Sequence, residues 1–107
     1  MPMLNIPEFS KYPEVKGVFV QGCVDRGEGS SFRRKAHAHT SKCKNPGWIC
    51  VRSLKRIRNE STGKLSNLML HELAHILTDS GHTLKWGKKL KKLGGRIERN
   101  YAWRSKL

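Results

Sequence analysis

Between Leu65 and Asp79 the chain reads LSNLMLHELAHILTD, a run with neither Gly nor Pro. Most of these residues favour helix. Ser80-Gly81 follows as a stop, with Gly81 suited to the left-handed position after the last turn. Successive residues step round a helix by about 100°. Leu68, Glu72, His75 and Asp79 then fall on one narrow stripe beside His71, and Leu65, Met69, Leu70, Leu73, Ala74, Ile76 and Leu77 fill most of the remaining circle. A helix apolar nearly all round belongs inside a protein. This element therefore dictates the fold: the rest of the chain must cover it, and the charge and imidazoles it carries inward need partners or a metal.

The polar stripe holds His71-Glu72-Leu73-Ala74-His75, an H-E-x-x-H pattern. Residues four apart sit one turn up the same face, so both imidazoles can reach one ion. Glu72 lies a further step round, badly placed as an equivalent ligand but able to lean over the ion's open side. This is the spacing of zinc hydrolases that use the glutamate as general base. A catalytic zinc takes three protein ligands and a water. His82 is the expected third ligand: it follows the Ser80-Gly81 turn and shares a helical face with Trp86, Leu90 and Leu93. The expected chemistry is peptide hydrolysis, with Zn²⁺ acidifying a water, Glu72 relaying its proton to the leaving amine, and the metal holding the oxyanion. Asp79 reads either as an orienting partner for a ligand imidazole or as a helix-end carboxylate.

Upstream, Gly17–Val24 (GVFVQGCV), Ser31–Thr40 and Trp48–Val51 read as short strands, separated by the turns Asp25–Ser30 and Asn45-Pro46-Gly47. Pro2, Pro7 and Pro13 make residues 1–14 an extended lead-in with room for one helical turn. Residues 83–93 (TLKWGKKLKKL) form a second helix that Gly94-Gly95 ends, and 96–107 form a tail. Strands first and helices after predict a single α+β domain over 1–107: a small antiparallel sheet of about three strands packed on the HExxH helix and its successor.

From Leu70 onward, LHELAHILTDSGHTLKWGKKLKKLGG resembles the SprT-like zinc metallopeptidases, above all the minimal members encoded by phages. The likeness rests on HExxH, on the histidine of Gly81-His82, and on an aromatic four residues later, Trp86. It spans about a quarter of the chain, and the Gly-Trp-Ile-Cys strand before the helix suits that family's layout. The resemblance implies Zn²⁺, a compact gluzincin-like core and peptide-bond hydrolysis, with His71, His75 and His82 as ligands and Glu72 as general base. Some members act on proteins crosslinked to DNA. Larger members often add a cysteine-rich zinc ribbon after the core, whereas the last cysteine here is Cys50.

Charge fits such a setting. Against 8 Asp plus Glu stand 22 Lys plus Arg, a net charge of +14, which draws polyanions and speeds their encounter. Arg33-Arg34-Lys35, then Arg52, Lys55, Arg56 and Arg58, then the stripe Lys85, Lys88, Lys89 and Lys92 form the basic clusters, suited to backbone contact with DNA rather than base readout. The competing reading is a basic nucleic-acid-binding module whose zinc is structural. That requires a fourth protein ligand and leaves Glu72 without a task.

Cys23, Cys43 and Cys50, together with His37 or His39, offer the donors of a second, structural zinc site, but their spacings do not match the close C-x₂-C pairs such sites favour, and the cysteines read instead as small core residues near strands. His37 and His39 alternate with Ala36 and Ala38, which puts both on one side of a strand, read as a polar exposed face with cleft-lining the alternative. Tyr101 is an oxyanion donor by residue type alone. The first twenty residues lack a signal peptide's basic start and continuous apolar stretch, and no run is long enough to span a membrane. The expectation is a cytoplasmic protein (host cytoplasm for a phage-encoded chain) with reduced thiols.

Overall fold

The β-branched and aromatic segments form a sheet whose centre is the most apolar of them. In the computed structural model, which describes residues 3–4, 6–23, 27–28, 36–41, 43–52 and 54–97, the strands are β1 (Met3–Leu4), β2 (Gly17–Val20), β3 (Gly22–Cys23), β4 (Gly27–Glu28), β5 (Ala36–Ala38) and β6 (Trp48–Val51). Four of them make one sheet in the order β1-β2-β6-β5, and β3 and β4 pair separately as a small hairpin. Ile49, Cys50 and Val51 are fully buried, as expected of a central strand covered on both faces.

The sheet is mixed rather than antiparallel, and among the described residues it has four strands where about three were expected. β2 runs parallel to β6, with Gly17 opposite Trp48 and Val20 opposite Val51, while β1–β2 and β5–β6 are antiparallel. The expectation failed because local strand patterns do not encode direction. Parallel partners need a long crossover, and the stretch between Val20 and Trp48 supplies one by holding the hairpin and β5. The lead-in adds the extra strand through β1, and its prolines allow a 3-10 turn at Pro7–Lys11 that buries Phe9. Gly47 closes the β5–β6 connection at φ 92°, where a Cβ would meet the Glu14 carbonyl at 2.7 Å, so the turn demands glycine.

Among the described residues two α-helices complete the α+β fold: α1 (Asn67–Thr78) and α2 (Leu84–Lys92). Each starts at a hydroxyl cap. Ser66 Oγ accepts from the Met69 amide, and Thr83 Oγ1 from the Trp86 amide, a contribution of about 1 kcal/mol apiece. α1 ends earlier than expected, and Asp79, not Gly81, takes the left-handed position at φ 50°, ψ 42°. Aspartate tolerates that region better than most side chains, and its carboxylate is held there by Ser41, whose amide and hydroxyl donate to it at 2.8 and 2.7 Å.

Alternation sets the core. Ala36, Ala38, Ile49, Val51, Val18 and Val20 cluster with Met69, Leu73 and Ile76 of α1, joined by Ile6, Phe9 and Ile57. A second cluster of Ala74, Trp86 and Leu90 joins α1 to α2. α1 is thus enclosed by the sheet on one side and by α2 on another, as its nearly uniform apolarity predicts. No helix among the described residues is long and apolar enough to cross a membrane.

Candidate metal centre

His71 and His75, one turn apart on α1, are both buried, and so is Glu72 at 6% exposure. His82 stands in the turn before α2, half-buried. One ring nitrogen from each of the three histidines lies within 4.8 Å of the others. His71 Nε2 and His82 Nε2 are 3.0 Å apart. Two imidazoles on a tetrahedral zinc, with Zn–N of about 2.0–2.1 Å, would place their nitrogens about 3.3 Å apart. The rings meet edge to face around a common point, with centroids 4.6–5.0 Å apart.

The turn between the helices directs this convergence. The Thr78, Ser80 and Thr83 hydroxyls form a chain at 2.9 and 3.0 Å, and Thr78 Oγ1 also donates to the Ala74 carbonyl. The chain ties the end of α1 to the cap of α2 and swings His82 back over His71 and His75. His75 Nδ1 donates to the Ser80 carbonyl at 2.8 Å, which leaves Nε2 as its metal-facing nitrogen. For His75 the orienting acceptor is therefore a backbone carbonyl, and the Asp79 carboxylate accepts from Ser41.

Trp86 forms the floor. Fully buried, it stacks on His75 at 5.3 Å and 18°, meets His71 and His82 edge-on, and donates its indole N–H to the His71 carbonyl at 3.1 Å. The donor set fits a zinc ion: borderline-soft nitrogen ligands, three in number, on a largely buried wall. Glu72 is not a member of the three-residue group.

The remaining sequence candidates divide. His37 and His39 do share one side of β5, with ring centroids 4.7 Å apart, but the face is not the exposed one expected. His39 is 2% exposed and His37 half-buried. Ala36 and Ala38 face α1, so the two histidines point the other way, and Cys50 is opposite His37 in the register. Cys50 is a core residue, as expected, and Cys43 is half-buried. The side chain of Cys23, together with Arg33, Arg34, Lys35 and Tyr101, lies outside the described residues. Lys85, Lys88 and Lys92 are exposed on α2, as are Arg52, Lys55 and Arg56. Arg58 leaves the basic cluster, since its guanidinium is paired with Glu8, at 2.8 Å for Nη2–Oε1. That pairing holds the Glu8 carboxyl at about 2, below its ordinary 4.5, and raises Arg58.

Sequence reasoning missed Ser41, Ser80 and Thr83. Thr83 carried a readable signal, a hydroxyl residue immediately before a helical pattern. Ser41 and the Ser80 carbonyl gave none. Compared with protein-family models, with curated proteins and with solved structures, the chain finds no match.

Proposed function

We propose that this protein is a zinc-dependent peptidase, with His71, His75 and His82 as metal ligands and Glu72 as general base. The observation that supports it most is the meeting of three imidazoles from two elements, beside a buried carboxylate from the next position of the same helix. Bound there, Zn²⁺ would supply Lewis acidity, lowering the pKa of a water to about 7 and favouring negative charge on a carbonyl oxygen. Glu72 takes the water's proton on a carboxylate oxygen and delivers it to the departing amine nitrogen. The buried setting raises the strength of each charge interaction by keeping bulk water away. Trp86 and the Ser80 carbonyl hold the ligand rings in place.

The exposed lysines of α2 and the net charge of +14 support protein substrates that sit on DNA, reached through the backbone. The alternative of a structural zinc in a nucleic-acid-binding module is weaker. Such a site closes with four protein ligands, and the histidine group among the described residues has three.

Glu72→Gln decides between the two. It should keep zinc at wild-type stoichiometry and reduce cleavage of an unstructured protein substrate by at least about a hundredfold. Full-rate cleavage by this variant would remove Glu72 from the chemistry and the peptidase mechanism with it.

A further inference from the structure

The face of the sheet turned away from α1 holds a second group of metal-competent side chains. His37 and His39 project from it together, and Cys43 follows in the connection to β6. One donor atom from each lies within 4.8 Å of the others. We propose that His37, His39 and Cys43 form a second zinc site, separate from the three histidines of the helical pair.

Several features favour this. The donors are two imidazoles and a thiol, a set that selects zinc over the hard cations magnesium and calcium. His39 is almost fully buried, so its ring is held in one orientation by its surroundings. Its Nε2 lies 3.1 Å from Cys50 Sγ. A proton on Nε2 directed at that sulfur leaves the lone pair on Nδ1, the tautomer a metal requires. The backbone is already fixed around the group: the His39 amide donates to the Trp48 carbonyl at 2.8 Å, and its carbonyl accepts from the Gly47 amide at 2.7 Å. Cys43 is anchored through its amide to the Thr40 carbonyl at 2.9 Å, closing a turn that brings the sulfur back over β5.

The location gives the site a task. Ser41, between His39 and Cys43, is the residue that grips Asp79 at the end of α1. A metal joining His37, His39 and Cys43 would stiffen the loop that secures the last turn of the helix carrying His71 and His75. Three protein donors leave zinc's fourth position to water or to an exogenous ligand. An ion here would brace the sheet side of the molecule, and Cys43 binds as thiolate, releasing its proton on metal uptake.

The test uses cobalt(II), which reports a bound thiolate by a near-ultraviolet charge-transfer band that imidazole-only sites lack. The full chain, reduced and stripped of metal, is titrated with Co²⁺ and then with Zn²⁺. The expected result is two equivalents bound, with the thiolate band saturating at one equivalent and disappearing on zinc addition. Cys43→Ser should lose the band and one equivalent, and His37→Gln should weaken both. His71→Ala should lose the other equivalent and keep the band, so failure of the peptidase site and failure of this one are told apart. Should Cys43→Ser fold poorly by circular dichroism, the wild-type titration and the half-buried His37→Gln still decide. No thiolate band in the wild-type chain, or a band that survives Cys43→Ser, overturns the assignment.

Discussion

Replacing Trp86 with Phe probes the metal centre without touching a ligand. Trp86 is completely buried, and its indole N–H donates to the His71 carbonyl. The loss of that bond costs about 1 kcal/mol net, because the carbonyl still belongs to the α1 ladder and is not stranded. The smaller ring leaves roughly 40 Å³ unfilled, which costs about another 1 kcal/mol at about 24 cal/mol per Å³. A total of about 2 kcal/mol is a large fraction of the 5–15 kcal/mol typical of a domain. For a chain of this length it lowers Tm by about 8 °C. Thermal unfolding in chelator reads this term alone. Isothermal titration with zinc then reads the second consequence: the stacked wall behind His75 and the edge contacts to His71 and His82 are thinned, and affinity should fall about tenfold, as for other groups that orient metal ligands. Trp48→Phe is the control, because Trp48 is half-buried on the sheet beside Phe19 and away from the helical pair, so its zinc affinity should not move. A Trp86→Phe protein with an unchanged Tm and an unchanged zinc affinity would refute the packing role given to this ring.

His82→Ala should reduce zinc affinity by at least about tenfold and remove most of the zinc-induced rise in Tm; unchanged affinity in a zinc titration would exclude His82 as a ligand. Glu8 bears on acid stability. Its folded pKa is depressed, about 2 against 4.5, so its contribution is complete above about 4.5 and is lost as pH falls towards 2. The stability gap between wild type and Glu8→Gln should therefore shrink across that window in metal-free urea titrations, and a gap that stays constant there would count against the ion pair. DNA affinity should fall steeply with salt, by about a thousandfold between 50 and 200 mM for some six phosphate contacts, and Lys85→Glu with Lys88→Glu should flatten that slope; salt-independent binding measured by fluorescence anisotropy would contradict a backbone mode.

Much of this molecule was written locally. The helix, expected over 65–79 and found at Asn67–Thr78, followed from a Gly- and Pro-free run with one polar stripe, whereas His82 reaches the other two histidines from the turn before α2 and not from a helical face shared with Trp86 and Leu90. The first is a short-range periodicity, and the structure brings one ring nitrogen of each of the three histidines within 4.8 Å of the others. What stayed hidden depended on partners far along the chain. The parallel pairing of Gly17–Val20 with Trp48–Val51 is invisible to strand propensity. The left-handed Asp79 was hidden because Ser41, 38 residues earlier, supplies the hydrogen bonds that hold it there. The burial of His39 was missed for the same reason: an alternating strand has two faces, and the pattern of small and polar residues does not tell which structure covers the polar one.

The chain of hydroxyls from Thr78 through Ser80 to Thr83 has a consequence for how metal uptake is felt by the rest of the protein. All three helical-pair histidines fall between positions 71 and 82, so an ion there closes only a short stretch of polypeptide, and closing a short loop restrains the unfolded chain less than closing a long one. The gain in stability must come instead from clamping one helix onto its neighbour across the turn. Loading the site should therefore harden the Ala74–Trp86–Leu90 seam far more than the four-stranded layer, making the helical pair a separately tunable half of a very small protein.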